Sequence, residues 1–109
     1  MPIKHVIQDD KLLLTLSGGL TIFQAGDCKP QIDHLLALVD RPVWLDLAAV
    51  DEIDAAGLQL LLLLRREVAG RGQALAMVAC SAAVRAVLDL LQLERVFPDA
   101  RQAIGGEAS

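Results

Sequence analysis

The stretch Asp46-Leu47-Ala48-Ala49-Val50-Asp51-Glu52-Ile53-Asp54-Ala55-Ala56-Gly57-Leu58 runs, after Gln59, into five leucines, Leu60 to Leu64. Just before it, Val43-Trp44-Leu45-Asp46-Leu47 is nearly all apolar, the pattern of a central strand covered on both faces. The strand is expected to end at Asp46, an acidic turn to follow, and a helix to open near Ala55 or Ala56. A helix start leaves N–H groups unpaired and carries partial positive charge. Asp54 stands where a capping carboxylate would accept those N–H groups. The decisive unit is therefore strand, acidic turn, capped helix.

The rest of the chain extends that unit in both directions. Lys4 to Ile7 reads as a strand, Gln8 to Lys11 as a tight polar turn, and Leu12 to Ser17 as a second strand pairing with the first. Gly18-Gly19 is expected to break it. Leu20 to Phe23 leads into a helix from about Gln24 to Val39, with Ile32, Leu35, Leu36 and Val39 on one face. Pro30 either kinks that helix or marks its true start. Gly57 to Ala69 reads as the next helix, closed by Gly70-Arg71-Gly72. Ala74 to Ala79 is a buried strand, and Ser81 a plausible cap for a helix from Ala82 to Leu91. Val96-Phe97 can add a last strand residue or two, and Pro98-Asp99 can open a short final helix. Residues 105–109 read as a frayed tail. Strands joined by helical crossovers imply parallel pairing in an α/β layer fold.

Composition fits one domain. The chain has 109 residues, 54% of them hydrophobic, and a mean hydropathy of +0.46. That supports a filled core and not disorder. Aromatics make up 3%, so the core must be aliphatic, and base stacking on rings is poorly served. The net charge of −4 gives no electrostatic footprint for nucleic acid. Residues 1–54 carry −5 and residues 55–109 carry +1, and no lysine follows Lys29. Cys28 and Cys80 have no metal-type spacing and read as small buried thiols. The apolar run Ala55–Leu64 is too short to span a bilayer and the N-terminus lacks a signal pattern. A cytoplasmic protein without membrane insertion is the expectation.

On these residues the chain resembles the STAS domain family, which includes bacterial anti-sigma-factor antagonists and the small STAS subunit of a lipid-transport ABC complex. The resemblance rests on Asp46 at the strand end, Asp54 before the helix and Gly57-Leu58 opening it. The hairpin, Gly18-Gly19 and Phe97-Pro98 fall in family order around them. It implies one STAS domain over residues 1–104, with a four- or five-stranded mixed sheet opened by a β-hairpin and helices mainly on one face. It also implies a non-catalytic module that binds proteins in bacterial signalling by partner switching, regulating transcription. The implied partner-binding residues are Gly18, Gly19, Asp54, Ala55, Ala56, Gly57, Leu58 and Leu61. The implied partner is an anti-sigma factor of the kinase-like type or, alternatively, an ABC transporter ATPase. In the family the residue after the tip aspartate is a phosphorylatable Ser or Thr. Here it is Ala55, so that switch is absent. Thr15, Ser17, Thr21 and Ser81 are the remaining candidate acceptors.

The leucine run has its own reading. An amphipathic helix buries about a third to a half of its circumference. Leu58, Leu61 and Leu62 are expected to meet the sheet, while Leu60, Leu63 and Leu64 need other cover. That cover is either a neighbouring helix or a partner, including a second copy of the chain. A receiver-like phosphoacceptor is the main rival, with Asp9-Asp10 as metal acids, Asp46 as acceptor and Ser81 as hydroxyl switch. It lacks a late lysine, and Asp9-Asp10 runs into a strand instead of a helix. An enzyme using Mg²⁺ on Asp46, Asp51, Glu52 and Asp54 lacks a phosphate-cradling loop or a nucleophile–base pair. His5 and His34 stand alone. No cofactor is expected.

Overall fold

The structure, a computed structural model, describes residues 3–93 and, within them, every side chain except those of Phe23, Gln24, Ala25 and Cys28. The elements expected at Val96-Phe97, Pro98-Asp99 and residues 105–109 lie outside the described residues. Four strands form one mixed sheet in the order β1-β2-β3-β4, with β1 Ile3–Gln8, β2 Lys11–Leu20, β3 Val43–Ile53 and β4 Leu75–Cys80. Three helices connect or follow them: α1 Ile22–Leu36, α2 Ala55–Gly70 and α3 Ala82–Leu90.

The opening hairpin is as tight as the acids suggested. Gln8 pairs with Lys11, which leaves Asp9 and Asp10 as a two-residue loop. Both have positive φ, 53° and 63°. That is the primed turn whose twist suits a hairpin, and Asp tolerates it better than most residues. From there β2 runs parallel to β3, and β3 parallel to β4. The α1 and α2 crossovers make these parallel neighbours possible.

Alternation sets the core. Leu12, Leu14 and Leu16 of β2 line up with Val43, Leu45 and Leu47 of β3 and with Leu75 and Met77 of β4; all are buried. Residues between them, including Leu13, Trp44, Asp46 and Ala76, stay half-buried. Ile32, Leu35 and Leu36 of α1, five residues of α2, and Val84 and Leu88 of α3 join the same cluster. Among the described residues it is wholly aliphatic apart from Met77.

Three boundaries correct the sequence reading. Gly18-Gly19 does not end β2; the strand passes through both to Leu20. Its pairing with β3 shifts register between Thr15 and Ser17 and between Gly18 and Gly19, and Gly18 sits at φ 82°. A glycine-permitted irregularity of this kind bends a strand without terminating it. Asp46 likewise does not end β3, which continues to Ile53; the expected acidic turn is strand, with Asp51 and Glu52 exposed. Gly19 opposite Glu52 and Leu20 opposite Ile53 supply the pairing that poor intrinsic strand formers lack. Finally, α1 starts at Ile22, ahead of Gln24, and holds Pro30 inside it.

Candidate functional site

Because β2 and β3 run parallel, the starts of α1 and α2 emerge at the same end of the sheet. Asp54 joins them. Its Oδ1 accepts the Gly57 N–H at 3.0 Å, capping α2 as expected. Its Oδ2 accepts the Ile22 N–H at 2.9 Å, at the first residue of α1. The Asp54 N–H in turn donates to the Leu20 carbonyl at 3.3 Å. Donation from Ile22, then Gly57, holds the Asp54 carboxyl below the ordinary carboxylate range. The bond to Ile22 was invisible in the sequence, since it spans 32 positions and involves a backbone group.

Gly57 has a local cause. A Cβ there would overlap the Leu20 carbonyl oxygen, with the Leu20 carbonyl carbon 2.7 Å and Leu20 Cδ2 2.9 Å away. The absent side chain lets α2 lie directly against the end of β2. Gly18 and Gly19, opposite Val50 and Glu52, shape the same strand end. Ala55 is exposed at the first position of α2, and Ala56 is half-buried behind it.

Leu58 and Leu61, placed among the docking residues by sequence, are 6% and 1% exposed and belong to the core. The α2 seam also differs from expectation. Leu60 and Leu64 are buried with them, while Leu62 and Leu63 remain half-buried. Gly57, Leu60, Leu61, Leu64 and Val68 recur at helical spacing, so one face meets the sheet and α1 together. The outward surface of α2 is Gln59, Leu62, Leu63, Arg65 and Arg66. Between α1 and α2 an open cleft of about 410 Å³ is lined by Gly26, Lys29, Ala56, Gln59, Leu60 and Leu63. It reaches the tip at Ala56. Ile22, 66% exposed, adds an apolar point on the other side of Asp54. A small, partly apolar, rigidly tied tip beside an apolar cleft can dock a folded surface.

The acids do not converge. Asp46 turns its Oδ1 to the Ala48 N–H at 3.0 Å, and among the described residues no group of three or more His, Cys, Asp or Glu is gathered as a metal site would require. Asp9 and Asp10 occupy the hairpin loop at β1. Of the candidate hydroxyls, Thr21 is buried, Thr15 and Ser17 are half-buried in β2, and Ser81 caps α3 by accepting the Val84 N–H at 3.2 Å. Cys80 is a half-buried free thiol whose pKa burial raises. No described helix is long and apolar enough to cross a membrane.

Comparison with known proteins agrees with this architecture. An anti-sigma factor antagonist from Mycobacterium paratuberculosis superposes with a TM-score of 0.80 at 21% identity, covering 99% of this chain and 94% of that one. SpoIIAA of Bacillus, an anti-sigma factor antagonist solved in its unphosphorylated form, gives 0.71 at 18% identity, covering 94% and 93%. A sulfate transporter family protein from Wolinella succinogenes gives 0.66 at 19% identity, covering 85% and 75%. At these identities the likeness is one of fold. The STAS domain family model matches residues 2–104, nearly the whole chain. Hairpin, parallel crossovers and aspartate-capped tip thus have one common account: the chain belongs to the STAS domain family.

Proposed function

We propose that this STAS domain is a non-catalytic, cytoplasmic protein-binding module of the anti-sigma-factor antagonist type, held in the binding-competent state. The observation that carries the reading is Ala55. It is exposed at the first position of α2, beside a capping aspartate, and it has no hydroxyl. A phosphate there would add about −1.5 to −2 charge at the docking tip and repel an acidic or apolar partner. Without an acceptor, that route of release is closed. The partner fitting this reading is an anti-sigma factor of the kinase-like type, docking on Ala55, Ala56, the exposed side of α2 and the cleft toward α1. Gly18 and Gly19 contribute by shaping the strand end.

Affinity capture from the native cell, with mass spectrometry of what is retained, tests the reading. Capture of a kinase-like anti-sigma factor is expected with the wild type and lost with Ala55→Arg at an unchanged circular-dichroism spectrum. With that kinase and ATP, Ala55→Ser is expected to become phosphorylated and release its partner, whereas the wild type stays bound. Capture of an ABC transporter ATPase instead would move the module to transporter regulation. Capture indifferent to Ala55→Arg would remove the tip from the interface.

A further inference from the structure

β1 lies at one edge of the sheet, and every residue from Lys4 to Gln8 is exposed. An edge strand presents a row of unpaired N–H and C=O groups, and proteins usually blunt it with proline, a bulge or inward charge. β1 has neither proline nor bulge, and Lys4 is its one permanently charged residue. The strand pairs with β2 in unbroken register from Ile3 to Gln8. Val6 and Ile7 are 51% and 59% exposed, on opposite faces of the strand.

Beside this edge is an open cleft of about 380 Å³ between β1 and α1, lined by Ile3, His5, Pro30, Gln31, His34 and Leu35. Ile3, His5 and Ile7 share the α1 side of β1 by alternation. The chain thus carries both an exposed apolar knob, Ile7, and an apolar recess one strand-width from where a copied Ile7 would fall.

We propose that two copies of this chain pair their β1 strands antiparallel about a two-fold axis at Val6, joining the four described strands of each into one continuous sheet. A two-fold axis perpendicular to the sheet keeps each residue on its own face, so only positions of like parity can oppose each other. Centred on Val6, Lys4 opposes Gln8 and His5 opposes Ile7. Each Ile7 then lies beside its partner's His5, at the mouth of the Ile3–Leu35 recess, and the two Val6 side chains cover each other. No like charges face one another. Each Lys4 instead comes diagonally toward its partner's Asp9-Asp10 turn, so opposite charges meet twice. Centring on His5 would set two imidazoles face to face, and centring on Ile7 would pair only Val6 to Gln8 within the strand, because the positions opposite His5 and Lys4 lie in the hairpin turn. The edge and its recess share no residue with the tip at Asp54 or the α1–α2 cleft, so this pairing stands or falls independently of the proposed function.

Sedimentation equilibrium over a dilution series tests it on the full chain. The wild type is expected to sediment as a dimer that dissociates on dilution. Ile7→Lys, at an exposed position, is expected to be monomeric with unchanged circular dichroism and, at dilutions where the wild type has also dissociated, the wild-type melting temperature. With Cys28 and Cys80 replaced by serine, Val6→Cys is expected to form a covalent dimer with a short thiol-reactive crosslinker. A wild type that remains monomeric throughout would overturn the proposal. So would a dimer that survives Ile7→Lys, a dimer dissociated by Leu63→Asp instead, or failure of Val6→Cys to crosslink.

Discussion

At the scale of single residues, the tip is held by one carboxylate and one missing side chain. Gly57→Ala would drive a Cβ into the Leu20 backbone, and backbone cannot swing aside as a side chain could. The start of α2 must then shift, at about 1–3 kcal/mol of stability, read from the urea midpoint. Asp54 makes a pH-dependent contribution whose sign follows from its hydrogen bonds. Unfolded, its carboxyl titrates near the ordinary 3.8; folded, donation from Ile22 and Gly57 keeps it ionised below that. Its contribution is therefore complete above the unfolded value and disappears as pH falls through the lowered, folded one. Thermal melts of Asp54→Asn should show a lower melting temperature at neutral pH, and the gap from wild type should narrow as the solution is acidified into that window. The capping half of this site was legible in the sequence, because an aspartate three residues before Gly57 is a local pattern. The Ile22 half was not, because nothing local ties a backbone N–H to a carboxylate so far along the chain.

At the scale of elements, the leucine run shows what periodicity can and cannot resolve. Five adjacent leucines carry no phase, so the sequence placed Leu62 inward and Leu60 and Leu64 in need of cover. Gly57 against Leu20 fixes the rotation of α2 and sets the seam at Leu60, Leu61, Leu64 and Val68. Leu61→Ala should cost roughly 2–5 kcal/mol, the range for emptying a buried leucine site. Leu63→Ala should cost about 1 kcal/mol or less, since its site is already half open to water. Paired urea titrations of the two variants check the seam directly. Elsewhere short-range signals served well. Ser81 caps α3, and Asp9-Asp10 makes the hairpin loop. The misread segments, Gly18-Gly19 and Asp51-Glu52, are weak strand formers that hold strand geometry because each lies against the other in β2 and β3. That support is tertiary and has no signature in either segment alone.

At the scale of the whole molecule, one aliphatic cluster links all three helices to strands β2, β3 and β4, so the described core is expected to unfold as one unit. Trp44, the chain's single tryptophan, lies on the other side of β3 from that cluster's inward residues, with the Lys11 ammonium 4.7 Å from its ring centroid. Its fluorescence therefore reports a different surface from the helical signal in far-UV circular dichroism. For a single cooperative unit the two urea transitions should coincide, and separated midpoints would reveal a second unit. The α/β class needed no more than the alternation of apolar segments with helical crossovers, whereas the order β1-β2-β3-β4 came from the structure. Which surface stays open required the rotation of each element, which the sequence does not carry by itself.

The double attachment of Asp54 also bears on how fast a docking event can be. Two single-residue connections, Thr21 between β2 and α1 and Asp54 between β3 and α2, are joined when the chain folds. Under the proposed function, a partner docking at this end is expected to meet a surface already ordered by the Asp54 bonds. The entropy of ordering the connections is spent during folding and does not recur at each encounter. Association should then be a single bimolecular step, its rate rising linearly with partner concentration and showing no plateau from a slow rearrangement of the tip.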